Sequence, residues 1–344
     1  VKTDAFDYPL PQEAVADRPL RPRSACRLLV LERDRIHDAR FGDLTRWLTP
    51  GDLVVVNDTR VLRARLDARR PGGGRLEILL VEIESPERAL ALVHGARRLR
   101  AAMSLELEGG ERVVAEERRG EHWCLRTCGA GWEEIMERVG SLPIPPYLGR
   151  EANEDDDDDY QTVFARNAGS VASPTAGLHF DSALLDRLTA AGVGIDALTL
   201  HVGAGTFTPV RTEEIEDHRM HAESYAVSAA LAARIAEVRA RGRRVVAVGT
   251  TVVRALESYA RVPASERGEP YAGRTDLYIR PGFRFVLVDA LVTNFHAPRS
   301  SLLVLVSAFA GRERILEAYR HALAQGYRFL SYGDAMFITA PHAF

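Results

Sequence analysis

Between residues 181 and 325 the chain alternates helical and strand patterns, and this alternation limits the fold more than any other feature of the sequence. Asp181 is placed to cap a helix running to Ala191, with Leu184, Leu185 and Leu188 on one face and Gly192 as its stop. A buried strand is predicted over 197–202. Ser228 then caps a second helix ended by Gly242, and the β-branched run 243–248 reads as another buried strand. The unit repeats with a helix over 250–260, a strand over 284–292, and helices over 300–310 and 312–325. Such alternation predicts an α/β sheet with helices on its faces.

Residues 63–146 have a different texture. Short apolar runs at 76–83, 89–93, 103–107, 112–115 and 122–127 are separated by Gly, Glu and Arg, which suits an antiparallel barrel or sandwich. Pro71-Gly72-Gly73-Gly74 and Glu108-Gly109-Gly110 suit hairpin connections, and a helix over 131–139 closes the stretch. The strand-like runs 27–31 and 53–56 precede it and belong with the later sheet. The fold expected is therefore an α/β main domain, a mixed sheet with helices on its faces, formed by 1–62 and 151–344, with an inserted small antiparallel β-barrel domain over 63–150. Five successive aspartates fall within 151–159, where mutual repulsion predicts an exposed, mobile loop.

Composition excludes several function classes. No run approaches the roughly 18 apolar residues of a membrane span, and the start lacks the basic and apolar regions of a signal peptide, so a cytosolic protein is expected. Lys2 is the only lysine, which excludes Schiff-base chemistry on a buried lysine. Cys26, Cys124 and Cys128 are odd in number and have no partner set for zinc; free buried thiols are expected. The net charge of −3 announces no nucleic-acid footprint. Any RNA contact has to come from local arginine runs: Arg60, Arg63, Arg65, Arg69 and Arg70; Arg97, Arg98 and Arg100; or Arg239, Arg241, Arg243 and Arg244. Each run alone equally describes an ordinary solvated face.

Four segments could carry chemistry. His201-Val202-Gly203-Ala204-Gly205-Thr206 ends a predicted strand in a Gly-x-Gly turn, which lets backbone amides approach a ligand or merely makes a tight turn. The third glycine of a dinucleotide fingerprint is missing. In Val248-Gly249-Thr250-Thr251 a strand passes into a helix start whose amides and hydroxyls suit a carboxylate or phosphate, with Glu257 further along that helix as a ribose partner; ordinary capping is the alternative. Histidine is the natural base near neutral pH, and candidates are His179, His201, the pair His218 and His221 beside Glu223, and His296. No third ligand stands at a recognisable spacing from that pair, so no metal site is expected. Finally, Asn57-Asp58-Thr59-Arg60-Val61 offers groups to read a base edge or a phosphate, or forms an Asx-type turn.

Taken in order, these segments resemble one family over nearly the whole chain: the S-adenosylmethionine:tRNA ribosyltransferase-isomerases of queuosine biosynthesis. The resemblance rests on Asn57-Asp58-Thr59-Arg60-Val61, Leu142-Pro143-Ile144-Pro145-Pro146-Tyr147, Pro174-Thr175-Ala176-Gly177-Leu178-His179-Phe180 and Thr199-Leu200-His201-Val202-Gly203-Ala204-Gly205-Thr206-Phe207. It continues through Val248-Gly249-Thr250-Thr251, Thr293-Asn294-Phe295-His296 and Ser331-Tyr332-Gly333-Asp334-Ala335-Met336. Cys26 stands where the family usually has Ser.

The resemblance implies an α/β domain interrupted by a β-barrel. It also implies transfer and isomerisation of the ribosyl part of S-adenosylmethionine to 7-aminomethyl-7-deazaguanine at the tRNA wobble position, giving epoxyqueuosine with release of adenine and methionine. S-adenosylmethionine is then a co-substrate, with no resident cofactor; the partner is tRNA carrying that base, and a monomer is expected. The reaction needs a neutral base, for which His201, His221 and His179 are candidates, with Glu223 as orienter. Gly203, Gly205, Thr206, Gly249, Thr250, Thr251 and Glu257 are expected to bind S-adenosylmethionine. Asn57, Asp58 and Asp334 are expected to read the base, and Arg60 with Arg63 to hold tRNA phosphates.

Overall fold

The computed structural model describes residues 1–342 except 204, 206–209, 264 and 268–269. In chain order, β1 (Arg27–Leu31), β2 (Ile36–Arg40), β3 (Leu53–Asn57) and the short β4 (Thr59–Val61) come first. They are followed by β5 (Arg65–Arg69), β6 (Arg75–Ile83), β7 (Arg88–His94), β8 (Met103–Leu107), β9 (Arg112–Arg119), β10 (His122–Thr127), α1 (Trp132–Val139) and α2 (Glu154–Asp159). After β11 (Asn167–Ser170) come α3 (Ser182–Ala190), β12 (Gly194–Leu200), β13 (Glu223–Val227), α4 (Ala229–Ala240), β14 (Val245–Val248) and α5 (Thr250–Arg261). β15 (Tyr271–Thr275), β16 (Ala290–Asn294), α6 (Ser301–Ala310), α7 (Arg312–Ala324) and β17 (Ala335–Ile338) complete the chain.

Two compact units result. One comprises Val1–Arg60, Gln161–Asn167 and Ser173–Phe344; the other comprises Val61–Tyr160 and Ala168–Ala172. The first holds a nine-stranded sheet in the order β15-β13-β12-β3-β14-β16-β17-β1-β2. Its centre, β12-β3-β14-β16, is parallel, and antiparallel strands flank it, so the sheet is mixed. β3 and β14 are buried at every position, as a central strand covered on both faces requires. Val54, Val56, Val246, Val248, Val292 and Phe337 pack on one side with Phe180 and with Leu184 and Leu188, the apolar face of α3. Asp181 accepts from the Leu184 amide at 2.8 Å and Ser228 from the Leu231 amide at 3.1 Å, the two helix starts read from the sequence.

The second unit is a closed six-stranded antiparallel barrel, β10-β7-β6-β5-β8-β9. Closure leaves no free strand edge. Leu66, Ile78, Ala91, Leu105, Val113 and Leu125 are all buried within it. β5 is a sixth strand that the apolar runs of the sequence do not mark, because charged residues alternate with Leu66 and Ala68 along it.

Three expectations need correction. The strand predicted over 284–292 is ordered as a strand only from Ala290, because the amides of Val286, Leu287 and Val288 donate to the Glu257 carboxylate and are unavailable to a neighbouring strand. The aspartate run is a helix, α2, with Asp156 and Asp159 buried. Asp156 accepts from the Asn153 amide at 2.9 Å and is clamped by Arg150 through two bonds of 2.6 and 2.8 Å, while Asp157 pairs with Arg63 at 2.9 Å. Carboxylates at a helix start also face the positive end of its dipole, which offsets their repulsion. Lastly, Cys26 and Cys124 are buried but Cys128 is exposed.

Candidate active site

The parallel centre of the main sheet brings four of the singled-out segments to one edge. β12, β3, β14 and β16 run in the same direction, so His201, Asn57-Asp58-Thr59, Gly249 and Asn294 all stand at carboxyl ends of adjacent strands. β13 runs the other way and begins at this edge with Glu223, and β17 begins there just after Asp334. After β12 the chain pairs outward with β13 and then crosses β3 to form β14. Open α/β sheets bind ligands outside carboxyl strand ends, where the order switches side.

His201 follows β12 directly and is half-buried. Its amide donates to the Ser224 carbonyl at 2.9 Å, and its Nδ1 lies 2.8 Å from Thr59 Oγ1. Thr59 thus engages Nδ1, while Nε2 has no hydrogen-bond partner among the described residues. Burial lowers the imidazole pKa, while the Asp58 carboxylate opposes that shift. The ring is therefore neutral at pH 7.

Asp58 is itself held by the Thr199 hydroxyl at 2.6 Å and the Asn167 amide at 3.1 and 3.2 Å. Asn57 is spent on the β12 backbone: its Oδ1 accepts from the Leu200 and Thr59 amides, and its Nδ2 donates to the Leu200 carbonyl. It is thus a brace for the strand ends and no longer free to read a base. The same holds for Asp334, whose two oxygens accept the Arg27 and Arg328 amides at 2.7 Å.

Glu223 was expected to orient an imidazole, but its partners are different. Its Oε1 accepts the Gly203 amide at 2.9 Å, and its Oε2 pairs with Arg254 of α5. Arg254 is buried and also donates to the Leu277 and Thr275 carbonyls at 3.0 and 3.2 Å. This relay pins the loop after His201 to the helix that starts at Thr250. His221 is exposed, and it packs on Gly205: a Cβ at Gly205 would come within 2.6 Å of its Cδ2. Thr206 lies outside the described residues.

Gly249 adopts φ +94°, a conformation that L side chains rarely take, as the chain turns from β14 into α5. No side chain caps α5, so its first amides point outward unclaimed by a cap. Thr250 is buried beside them, and the Thr251 hydroxyl is buried with no hydrogen-bond partner among the described residues. That is the donor set an anion requires.

Two candidates are structural instead. His179 is fully buried, with its Nδ1 3.4 Å from Cys26 Sγ and its Nε2 3.0 Å from Asn294 Nδ2. Asn294 Nδ2 also donates to the Leu330 carbonyl, so this amide is the donor and His179 Nε2 the acceptor. The only lone pair of that ring is occupied, and burial pushes its pKa down to about 3. Glu257, expected at a ribose, has no exposed surface and accepts from the amides of residues 286–288 and from Arg261.

Arg60 is exposed on the first unit, and Arg63, in the barrel unit, is paired with Asp157. Among the described residues no group of three or more His, Cys, Asp or Glu is placed to hold a metal, and no helix is long and apolar enough to cross a membrane. Thr59 and Arg254 join the site although neither is a candidate on sequence alone: Thr59 sits within Asn57-Asp58-Thr59-Arg60-Val61 and Arg254 within the helix predicted over 250–260. A charged residue among Val252, Val253, Ala255 and Leu256 of a buried helix was the signal for Arg254.

Comparisons with known proteins agree with this architecture. A family model described as queuosine biosynthesis protein matches residues 3–338. A protein of Aromatoleum aromaticum named S-adenosylmethionine:tRNA ribosyltransferase-isomerase is 51% identical over 337 residues, covering 98% of this chain and 97% of that protein. One of the same name from Xanthomonas oryzae is 48% identical over 344 residues, with coverage of 98% and 97%. The crystal structure of S-adenosylmethionine tRNA ribosyltransferase from Thermotoga maritima aligns with a TM-score of 0.57 and 38% identity, covering 97% of this chain and 99% of that one. With half of its residues shared along nearly the full length of such relatives, the chain belongs to the queuosine biosynthesis protein family.

Proposed function

We propose that this protein is an S-adenosylmethionine:tRNA ribosyltransferase-isomerase. It transfers and isomerises the ribosyl moiety of S-adenosylmethionine to 7-aminomethyl-7-deazaguanine at the tRNA wobble position, giving epoxyqueuosine and releasing adenine and methionine. It acts as a monomer in the cytosol and consumes S-adenosylmethionine as a co-substrate, without a resident cofactor. The observation that carries this reading is full-length identity of about half to relatives that bear that name.

The sheet edge suits the chemistry. The sulfonium acidifies the neighbouring 5′ carbon, and His201, a neutral imidazole whose Nε2 stands clear of Thr59, is the base that removes a proton there. Thr59 holds the ring and Asp58 supports the imidazolium that forms. The uncapped start of α5, with Gly249, Thr250 and Thr251, receives the methionine carboxylate. Gly203 and Gly205 give the loop after His201 its close approach to the ligand, and His221 lies against Gly205 as the second proton-transfer group.

The test is incubation with S-adenosylmethionine and tRNA bearing the aminomethyl base, followed by mass spectrometry of the tRNA. Released adenine and methionine with a heavier wobble base are expected. Release of S-adenosylhomocysteine, or tRNA binding with no adenine release, refutes the reading.

A further inference from the structure

Three arginine runs in this chain could contact RNA, and the structure separates them by what each guanidinium already holds. In the run at the end of α4, Arg239 pairs with Asp289 at 3.3 Å, Arg241 with Glu237 at 2.5 Å and Arg244 with Asp52 at 2.6 Å. Arg243 is the exception there, exposed with its stem against Gly51. The run from Arg60 to Arg70 is divided in the same way: Arg63 pairs with Asp157 at 2.9 Å, and Arg65 reaches Glu77 at 3.9 Å. Arg97, Arg98 and Arg100, between β7 and β8 of the barrel, are all exposed and have no carboxylate partner among the described residues.

Several carboxylates of the barrel are committed to other arginines: Asp67 to Arg75 at 3.1 Å, Glu84 to Arg119 at 2.6 Å and Glu116 to Arg88 at 2.8 Å. Three positive charges within four residues are thus left without compensation in a chain whose net charge is −3. The segment is also fixed in shape. Gly95 turns it at φ +81°, where a Cβ would press on Leu76 at 3.2 Å, and a 3-10 turn over Ala96–Arg98 follows. Leu99 is buried at 7% exposure and its amide donates to the Ala96 carbonyl at 2.8 Å, so the loop is anchored between its arginines. Arginines carried on a fixed backbone lose less freedom on binding than those of a floppy basic tail.

We propose that the loop Gly95–Arg100 is the barrel's docking surface for the phosphate backbone of the substrate tRNA. Guanidinium groups bind phosphate oxygens through paired N–H donors, and contacts of this kind position a nucleic acid without reading its sequence. The proposal rests on the ribosyltransferase-isomerase reading and adds the surface that receives the polynucleotide.

The experiment compares the intact protein with Arg97→Gln/Arg98→Gln/Arg100→Gln and with Arg239→Gln/Arg241→Gln, in steady-state adenine release at varied tRNA and salt. Thermal unfolding is recorded for each. For the barrel variant, KM for tRNA rises at least about tenfold with kcat and KM for S-adenosylmethionine held, and the salt slope of tRNA binding falls by roughly one per arginine. The α4 variant keeps the wild-type values. Equal KM and salt slope in the barrel variant overturn the proposal, as does an equal loss in the α4 variant, which reports bulk charge alone. If the barrel variant melts early, the three single substitutions are measured instead, and wild-type tRNA KM in all three has the same overturning force. A wild-type protein that releases no adenine with competent tRNA refutes the functional reading before any variant is compared.

Discussion

The Nδ1 atom of His201 lies 2.8 Å from the hydroxyl of Thr59, across the boundary between the carboxyl ends of two parallel strands. This contact engages one ring nitrogen and leaves the other clear of Thr59, while burial, opposed by the Asp58 carboxylate, sets the pH at which the ring works. His201 has a pKa below the ordinary 6.5, so as a base it is active once pH exceeds that lowered value, and the acid limb of kcat/KM lies below pH 6.5. Asp58 opposes the lowering. Asp58→Asn therefore moves the acid limb to still lower pH, and a shift upward in the pH profile of adenine release contradicts the assignment.

Glu223 and Arg254 form a buried pair that ties the loop at Gly203 to α5. Removing one member strands the other charge, which costs roughly 3–5 kcal/mol. Glu223→Ala is expected to lose stability of that order in urea unfolding, whereas His221→Ala, at an exposed position, stays within about 0.5 kcal/mol of wild type. A Glu223→Ala protein of undiminished stability would return Glu223 to the role of imidazole orienter.

His179 and His296 are buried neutral, each with a folded pKa of about 3. Between that value and the unfolded value of 6.5 the unfolded chain binds more protons, so stability rises with pH across this window and is lost as pH falls below 6.5. Each histidine contributes a slope of roughly 1.4 kcal/mol per pH unit. Urea unfolding at several pH values from about 7 to about 5 should show this loss, and His179→Gln should reduce the slope by one proton's worth. An unchanged slope in that variant would count against a buried neutral ring.

Glu257 accepts three consecutive backbone amides from residues 286–288. Glu257→Gln replaces charge-assisted bonds with weaker ones and is expected to cost about 2 kcal/mol. Below the melting temperature, KM for S-adenosylmethionine should be unaltered. A raised KM with wild-type stability would place Glu257 at the ribose after all.

The alternation of periodicities in the sequence determined the architecture, because helices and strands expose different repeats of apolar residues and the choice is local. Asp181 and Ser228 cap the helices their positions predict, and the barrel strands fall where the short apolar runs stand. Spacing could not reveal β13, β15 and β17, whose membership in the sheet depends on partners far along the chain. The aspartate run misled in part for a related reason: Arg150, which clamps Asp156, stands just ahead of it in the sequence, but Arg63, which pairs with Asp157, is brought in by folding.

The site divides in the same way. The sequence placed His201, Gly249 and Asn57-Asp58-Thr59 at strand ends, and the parallel pairing of β12, β3 and β14 then gathered them at one edge. Which polar groups remain available there was decided by tertiary structure alone. A carboxylate or imidazole has few hydrogen-bonding positions, and its neighbours claim them first: backbone amides at Glu257 and Asp334, the Asn294 side-chain amide at His179. His201 keeps one because its other nitrogen, and only that one, is claimed by Thr59.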